Sequence, residues 1–208
     1  MSELIQGTDE WLQARVGKVT ASRIADLMAT LRDGKPGASY HNYMAELIAE
    51  RLTGVPKEHF TNSAMMWGTE KEPEARSAYE FFHDVDVVEV GFVDHPSIPM
   101  AGASPDGLVG DVGLVEIKCP NTATHIETLL TGKIPDKYIK QMQFQLACTG
   151  RKWCDFLSYD PRMPEHLRMF TKTVERDDEL ILKMEGAIAS FLDMLDNKIE
   201  QLNKIGEK

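Results

Sequence analysis

Asp106, Glu116 and Lys118 stand in SPDGLVGDVGLVEIKCP, residues 104–120, where a Pro-Asp-Gly turn precedes an apolar run broken by one carboxylate and one ammonium. Side chains alternate faces along a strand, so in Leu114-Val115-Glu116-Ile117-Lys118 the apolar Val115 and Ile117 point one way and Glu116 and Lys118 the other. One face is then core and the other is available for chemistry. A tight hairpin through Gly110-Asp111-Val112-Gly113 would set Asp106 beside Glu116. Two carboxylates held together repel unless a proton or cation lies between them, and hard oxygen ligands on a partly open site suit Mg²⁺ or Mn²⁺. A metal lowers the pKa of its water and stabilises charge on a phosphate, while a lysine alongside orients that water or helps to deprotonate it. Such a combination supports phosphodiester hydrolysis. The same three residues also read as a surface ion pair on an edge strand; the rigid turn around Asp106 and the apolar flanks weigh towards a site.

The elements that must position these residues follow from periodicity. VDVVEVGFVDH, AGASPDGLVG and GLVEIKC are short β-branched runs punctuated by PDG and GDVG, and they predict an antiparallel meander. The chain before them is helical in pattern. TDEWLQARVG places apolar residues at 11, 12 and 16; Ser22 or Thr20 is expected to cap a helix through IADLMATL; SYHNYMAELIAERLTG starts with Ser39 and stops at Gly54. AMMWGTEKEPEARSAYEFF continues the helical pattern, with Pro73 marking a kink or a new first turn. Beyond the meander, helices over 122–132 and 136–149, strands in KWCDFLSYD and RMFTKTVER, and a closing helix over 177–204 are expected. Strands in the middle with helices at both ends make an α+β class, expected as a single domain over 1–208.

A net charge of −10 argues against a nucleic-acid partner, but its distribution weakens that objection. Residues 61–120 carry 3 Lys or Arg against 11 Asp or Glu, where divalent cations offset the excess, whereas residues 121–174 carry 8 against 5. A solvated acidic face is the plainer reading of the same numbers. Cys119, Cys148 and Cys154 are odd in number and form no CxxC pair, which fits reduced thiols in an intracellular protein and falls short of a four-thiolate iron–sulfur site. No apolar run approaches the ~20 residues of a membrane span. MSELIQGTDEW lacks the basic-then-apolar pattern of a secretory signal, so a cytoplasmic setting is expected.

Other residues carry two readings each. Gln141 and Gln145 lie four apart on one helix face, opposite Ile139, Met142 and Leu146, and face either a site or solvent. Arg15 with Thr20 and Ser22 makes either a phosphate site near a helix amino terminus or a surface charge beside hydroxyls. Met65-Met66-Trp67 fits ordinary core packing of a helix.

Taken in order, WLQARVGKVTAS at 11–22, WGTEKEPEAR at 67–76, SPDGL at 104–108, VEIKCP at 115–120, QMQFQ at 141–145 and YDPRM at 159–163 make the chain resemble the phage lambda exonuclease family of viral recombination exonucleases. Asp106 with Glu116-Ile117-Lys118 resembles that family's PD-(D/E)xK nuclease signature. The resemblance implies a restriction-endonuclease-like core, a central mixed β-sheet flanked by helices. It makes Asp106 and Glu116 metal ligands with the Ile117 carbonyl, around two Mg²⁺ ions (Mn²⁺ as substitute), and Lys118 the catalytic lysine. Glu72 becomes a further acidic residue facing the metal, and Gln141 the active-site glutamine. Arg15, Thr20, Ser22, Ser104 and Gln145 are implied to contact the 5′-terminal phosphate and the DNA, and Met65 to help separate the strands.

The activity so implied is that of an exodeoxyribonuclease, a phosphodiester hydrolase. It degrades one strand of linear double-stranded DNA in the 5′-to-3′ direction from 5′-phosphorylated ends, releases mononucleotides and leaves 3′ single-stranded tails for recombination by strand annealing. A homotrimeric ring, a single-strand annealing protein as partner, and a phage or prophage origin in a bacterial host's cytoplasm belong to the same implication. A closed ring also lessens the need for a strongly basic surface. Two alternatives stand: a structure-specific or restriction-type endonuclease on the same fold, and a DNA-end-binding recombination scaffold without turnover. A lysine beside two carboxylates argues against the scaffold.

Overall fold

The computed structural model describes residues 4–57 and 62–206. α1 (Asp9–Arg15) is capped by Thr8, whose hydroxyl accepts the Trp11 N–H at 3.3 Å. The chain then forms β1 (Val19–Thr20), a 3₁₀ turn (Ala21–Arg23) and the four-residue α2 (Ile24–Leu27). This is shorter than the helix expected through Leu31, and the Thr20 side chain makes no capping hydrogen bond. The reason is the DGKP turn: Gly34 adopts φ +81°, Leu31 N–H donates to the Lys35 carbonyl, and Thr30 bridges Pro36, so these backbone groups are taken by a loop. α3 (Ala38–Thr53) starts after Gly37, one residue before the expected Ser39, and ends where Gly54 turns left-handed. α4 (Ser63–His83) is capped by Asn62 and runs on through Pro73 without a second start.

The strands β2 (Val87–Val88), β3 (Val93–Asp94), β4 (Ala101–Ala103), β5 (Gly107–Val109) and β6 (Gly113–Lys118) do not form the single antiparallel meander expected of them. They divide between two sheets, a small one in the order β1-β4-β3 and a central one that begins β2-β5-β6. The break falls at Ser104-Pro105-Asp106, where Pro105 has no N–H to give to a ladder. Asp106 therefore sits where the chain crosses from one sheet to the other.

α5 (Thr122–Thr131) and α6 (Asp136–Thr149) form a crossover that returns β7 (Trp153–Tyr159) parallel to β6. β8 (Met169–Glu175) closes the five-stranded mixed sheet antiparallel to β7, and α7 (Asp178–Gly206) packs a buried stripe of Ile181, Met184, Ile188, Phe191 and Leu195 on the core. Helices cover both faces. Leu114, Cys154 and Phe156 join the core built with α2, α3, α6 and α7, whereas Val115, Ile117, Leu157 and Tyr159 pack against Ala75 and Tyr79 of α4. The alternation expected in β6 is present, but the face carrying Glu116 is not open: α6 lies over it.

Candidate active site

Glu116 is fully buried, and each of its carboxylate oxygens is held by an amide of α6. Gln141 Nε2 donates to Glu116 Oε1 at 2.6 Å, and Gln145 Nε2 donates to Oε2 at 2.6 Å. The spacing of four residues puts both amides over the strand on one helix face. Gln145, expected to touch the 5′-phosphate or DNA, is instead fully buried behind Glu116 and has no surface to offer a substrate. The other face of α6 is buried as expected, through Met142 and Leu146.

Asp106 reaches Glu116 by way of the backbone. Its Oδ2 accepts the Ile117 N–H at 2.7 Å, which fixes the carboxylate beside the end of β6. The hairpin between β5 and β6 that sets this register turns at Gly110, with φ +50°, and is pinned by Arg151, whose Nη1 donates to the carbonyls of Val109, Gly110 and Gly113. Gly107 allows the close approach of β2, since a Cβ there would collide with Val87 Cγ1.

Lys118 points into the same cluster. Its Nζ pairs with Glu116 Oε1, donates to the Ile117 carbonyl at 3.0 Å and lies 3.8 Å from Asp106 Oδ2, over the ring of Tyr138 at 5.4 Å. Burial works against the ammonium, but Glu116 and Asp106 outweigh it and raise the Lys118 pKa, so the group stays charged. Burial first, then the Glu116 charge, lifts Asp106 to about 8. Glu72, from α4, feels both Glu116 and Lys118; burial raises its pKa while Arg76, 3.0 Å away, opposes the rise. The three thiols are buried and pushed upward, Cys119 to about 12, so none is an activated nucleophile.

Three oxygens, of Asp106, Glu116 and the Ile117 carbonyl, thus converge on one cation, the Lys118 ammonium. Among the described residues no group of three or more His, Cys, Asp or Glu side chains is gathered for a metal, so the donor set here is two carboxylates and a carbonyl. Two carboxylates and a carbonyl are hard oxygen donors of the kind that would suit a divalent cation such as Mg²⁺ or Mn²⁺.

A second feature involves none of these residues. Arg15, Lys18, Thr20, Ser22, Arg23, Glu46 and Met65 are among the residues lining a pocket of about 310 Å³. The Arg15 side chain makes no hydrogen bond or ion pair among the described residues; its guanidinium rests on the Trp11 ring at 3.9 Å. Arg23 and Lys57 neutralise Glu46, and Thr20 and Ser22 present their hydroxyls 3.5 Å apart. The backbone here is a 3₁₀ turn and not the helix amino terminus expected, so the side chains carry whatever anion affinity the pocket has. Ser104 does not line the pocket. Its Oγ accepts the Trp11 Nε1–H at 2.9 Å, which makes Trp11 the link between the Arg15 pocket and the Asp106 turn. Trp11 was legible only as an apolar residue of a helix, because its ring nitrogen finds Ser104 across the fold. Met65 is half exposed at the rim of the pocket, and Met66 is exposed too, so neither is core; Trp67 alone is half buried, under the guanidinium of Arg162 at 4.3 Å.

The helix-flanked mixed sheet, with a Pro-Asp turn and a Glu-x-Lys strand meeting beside the parallel β6–β7 pair, is a PD-(D/E)xK-type nuclease fold. The chain belongs to the family of the YqaJ-like viral recombinase domain, which matches residues 10–152. It is 55% identical to LHK-Exo, an alkaline exonuclease from Laribacter hongkongensis, over 96% of this chain and 98% of that one, with a TM-score of 0.90; the same relative has also been solved in complex with dAMP. A phage-related exonuclease from Haemophilus somnus shares the fold at 16% identity and a TM-score of 0.71, covering 89% of this chain and 96% of that one. An uncharacterized protein of Acanthamoeba polyphaga mimivirus is 30% identical over 165 residues, 73% of this chain, and the chain spans 28% of that relative's length. No helix among the described residues is long and apolar enough to cross a membrane.

Proposed function

We propose that the chain is a Mg²⁺-dependent exonuclease that degrades one strand of linear duplex DNA from a 5′-phosphorylated end, releasing mononucleotides and leaving a 3′ single-stranded tail. The observation that carries this reading is the convergence of Asp106 Oδ2, Glu116 Oε1 and the Ile117 carbonyl on the Lys118 ammonium. Homology to an alkaline exonuclease supports the reaction class, and dAMP on LHK-Exo fits mononucleotide release by this chain.

Asp106, Glu116 and the Ile117 carbonyl would hold the metal, which supplies an activated water and charge stabilisation at the phosphate. Lys118, paired with Glu116 and 3.8 Å from Asp106, is placed to orient the attacking water and offset phosphate charge. Glu72, whose carboxylate is paired with Arg76 and feels the charges of Lys118 and Glu116, is the residue assigned to accept the water's proton. Water oxygen bonds to phosphorus and the P–O3′ bond breaks, so the departing nucleotide keeps its own 5′-phosphate and a 3′-hydroxyl. The next nucleotide is left with a 5′-phosphate. Each cut therefore regenerates the group that the Arg15 pocket accepts, with Met65 at the rim where the strands part. Assembly into a three-subunit ring and work with a single-strand annealing protein belong to the same proposal.

The test is to incubate the protein with Mg²⁺ and linear duplexes bearing a 5′-phosphate or a 5′-hydroxyl, with a closed circle as control. Stepwise shortening of the phosphorylated strand with the circle intact is expected. Cutting of the circle would establish an endonuclease, and no cutting with Mg²⁺ or Mn²⁺ would leave a binding scaffold.

A further inference from the structure

Two glutamines of α6 are fully or almost fully buried, and they are treated differently by the fold. Gln143 is satisfied at both ends by backbone: its Nε2 donates to the Glu175 carbonyl at 2.7 Å and its Oε1 accepts the Asp177 N–H at 2.8 Å. It ties α6 to the start of α7. Gln145, two residues on, donates to Glu116 Oε2, but its Oε1 has no hydrogen-bond partner among the described residues.

Buried polar atoms are nearly always paired, because the hydration they lose is otherwise not returned. Between Phe144 and Leu146, in the most buried stretch of the helix, an apolar side chain of similar volume would pack without that orphan oxygen. The amide has one usable orientation, since turning it over would set Oε1 against a carboxylate oxygen. What holds a glutamine here is Glu116.

Gln141, one turn earlier, gives the other oxygen its donor. With each oxygen held separately, the carboxylate plane cannot rotate, and Oε1 stays aimed at the point it shares with Asp106 Oδ2 and the Ile117 carbonyl. We propose that Gln145 is a positioning residue that acts through Glu116, locking the carboxylate in the orientation that completes the oxygen cluster, and that it touches neither metal nor DNA. The inference rests on the metal-site reading given above.

The experiment compares Gln145→Met with Gln143→Met and the wild type. Mn²⁺ is titrated calorimetrically into chelator-treated protein, thermal melting is followed in chelator, and kcat and KM are measured on a 5′-phosphorylated duplex. Loss of an outer partner of a metal ligand typically weakens metal affinity about 10- to 100-fold, and that loss is expected for Gln145→Met, with a fall in kcat and an unchanged KM for DNA. Gln143→Met is expected to melt earlier with wild-type Mn²⁺ affinity. Unchanged Mn²⁺ affinity and kcat in folded Gln145→Met would overturn the proposal, and so would a rise in KM with kcat intact. If Gln145→Met does not fold, Gln145→Leu is measured in the same way; failure of both to fold overturns it too, because the amide would then serve the fold. Wild-type protein that takes up no Mn²⁺ would instead sink the metal-site reading itself.

Discussion

Asp106 and Lys118 meet through one peptide group: the Ile117 N–H donates to Asp106 Oδ2 at 2.7 Å, and the Ile117 carbonyl accepts from Lys118 Nζ at 3.0 Å. The carboxylate on the turn after β4 and the lysine at the end of β6 are thereby set by the same backbone unit, which rigidifies the cluster without any direct short contact between them. Asp106 has two functions that substitution can separate, anchoring a backbone N–H and lending a charge.

Asp106→Asn keeps an acceptor for the Ile117 N–H and loses the charge, whereas Asp106→Ala loses both. An unpaired buried donor costs ~1–3 kcal/mol. Both variants are expected to lose divalent-metal binding and cleavage, and only Asp106→Ala is expected to fall in stability by that amount in chelator. Calorimetry and denaturant unfolding check the two halves. Wild-type Mg²⁺ affinity in either variant would remove Asp106 from the ligand set.

The Asp106 carboxyl, lifted to about 8 chiefly by burial and by the Glu116 charge, should make metal binding pH-dependent. Proton and metal compete for it, so apparent Mg²⁺ affinity is expected to rise with pH until about 8 and then level off. The stability of the chelated protein runs the other way. A carboxyl with a raised folded pKa contributes stability fully below its ordinary value near ~4 and loses it as pH rises through about 8. Melting temperature in chelator should therefore fall across that window, and saturating Mg²⁺ should abolish the fall. A melting temperature flat with pH in chelator would contradict the assignment.

Much of this site was legible in the sequence because strand alternation and turn chemistry are local. The division of Val115 and Ile117 from Glu116 and Lys118 follows from a period of two, and the GDVG hairpin from its glycines. What depended on the rest of the fold was not. Gln145 has the spacing of a site residue, yet whether it meets DNA or the back of Glu116 is decided by α6 lying over β6 as part of the crossover to β7. The meander failed at Pro105 for a local reason, a missing N–H, but the assignment of its two halves to different sheets rests on β1 pairing in parallel with β4 from far upstream. Trp11 and Ser104 are 93 residues apart, and nothing in either segment foretells their hydrogen bond.

Lys118→Met removes the ammonium that pairs with the buried Glu116 carboxylate and lies 3.8 Å from the partly buried Asp106. Breaking a buried ion pair by removing one partner leaves uncompensated charge, so the chelated variant is expected to be less stable than the wild type. With the competing cation gone, Mn²⁺ affinity should be retained or tightened, while cleavage falls by roughly 10²- to 10⁴-fold, the usual span for a group that handles the reacting proton or water. Lost Mn²⁺ affinity in this variant would mean that Lys118 supports the metal nest and does not act at the phosphate.

The Arg15 pocket and the Asp106 turn are joined by Trp11, and two substitutions distinguish the pocket from the joint. Arg15→Ala removes the cation resting on the Trp11 ring and leaves the Trp11–Ser104 bond in place. A hydrogen bond to a charged group contributes ~1.5–3 kcal/mol, so kcat/KM on 5′-phosphorylated ends is expected to drop by roughly 10- to 100-fold with little change on 5′-hydroxyl ends. Trp11→Phe keeps an aromatic face beneath Arg15 and deletes the donor to Ser104. A neutral hydrogen bond contributes ~1 kcal/mol, and its loss should slow cleavage about fivefold on both kinds of end, because it loosens the turn that carries Asp106 and leaves phosphate recognition intact. Equal losses on the two ends for Arg15→Ala would show that the pocket holds duplex DNA in general, and a loss confined to phosphorylated ends for Trp11→Phe would place the indole in phosphate recognition itself.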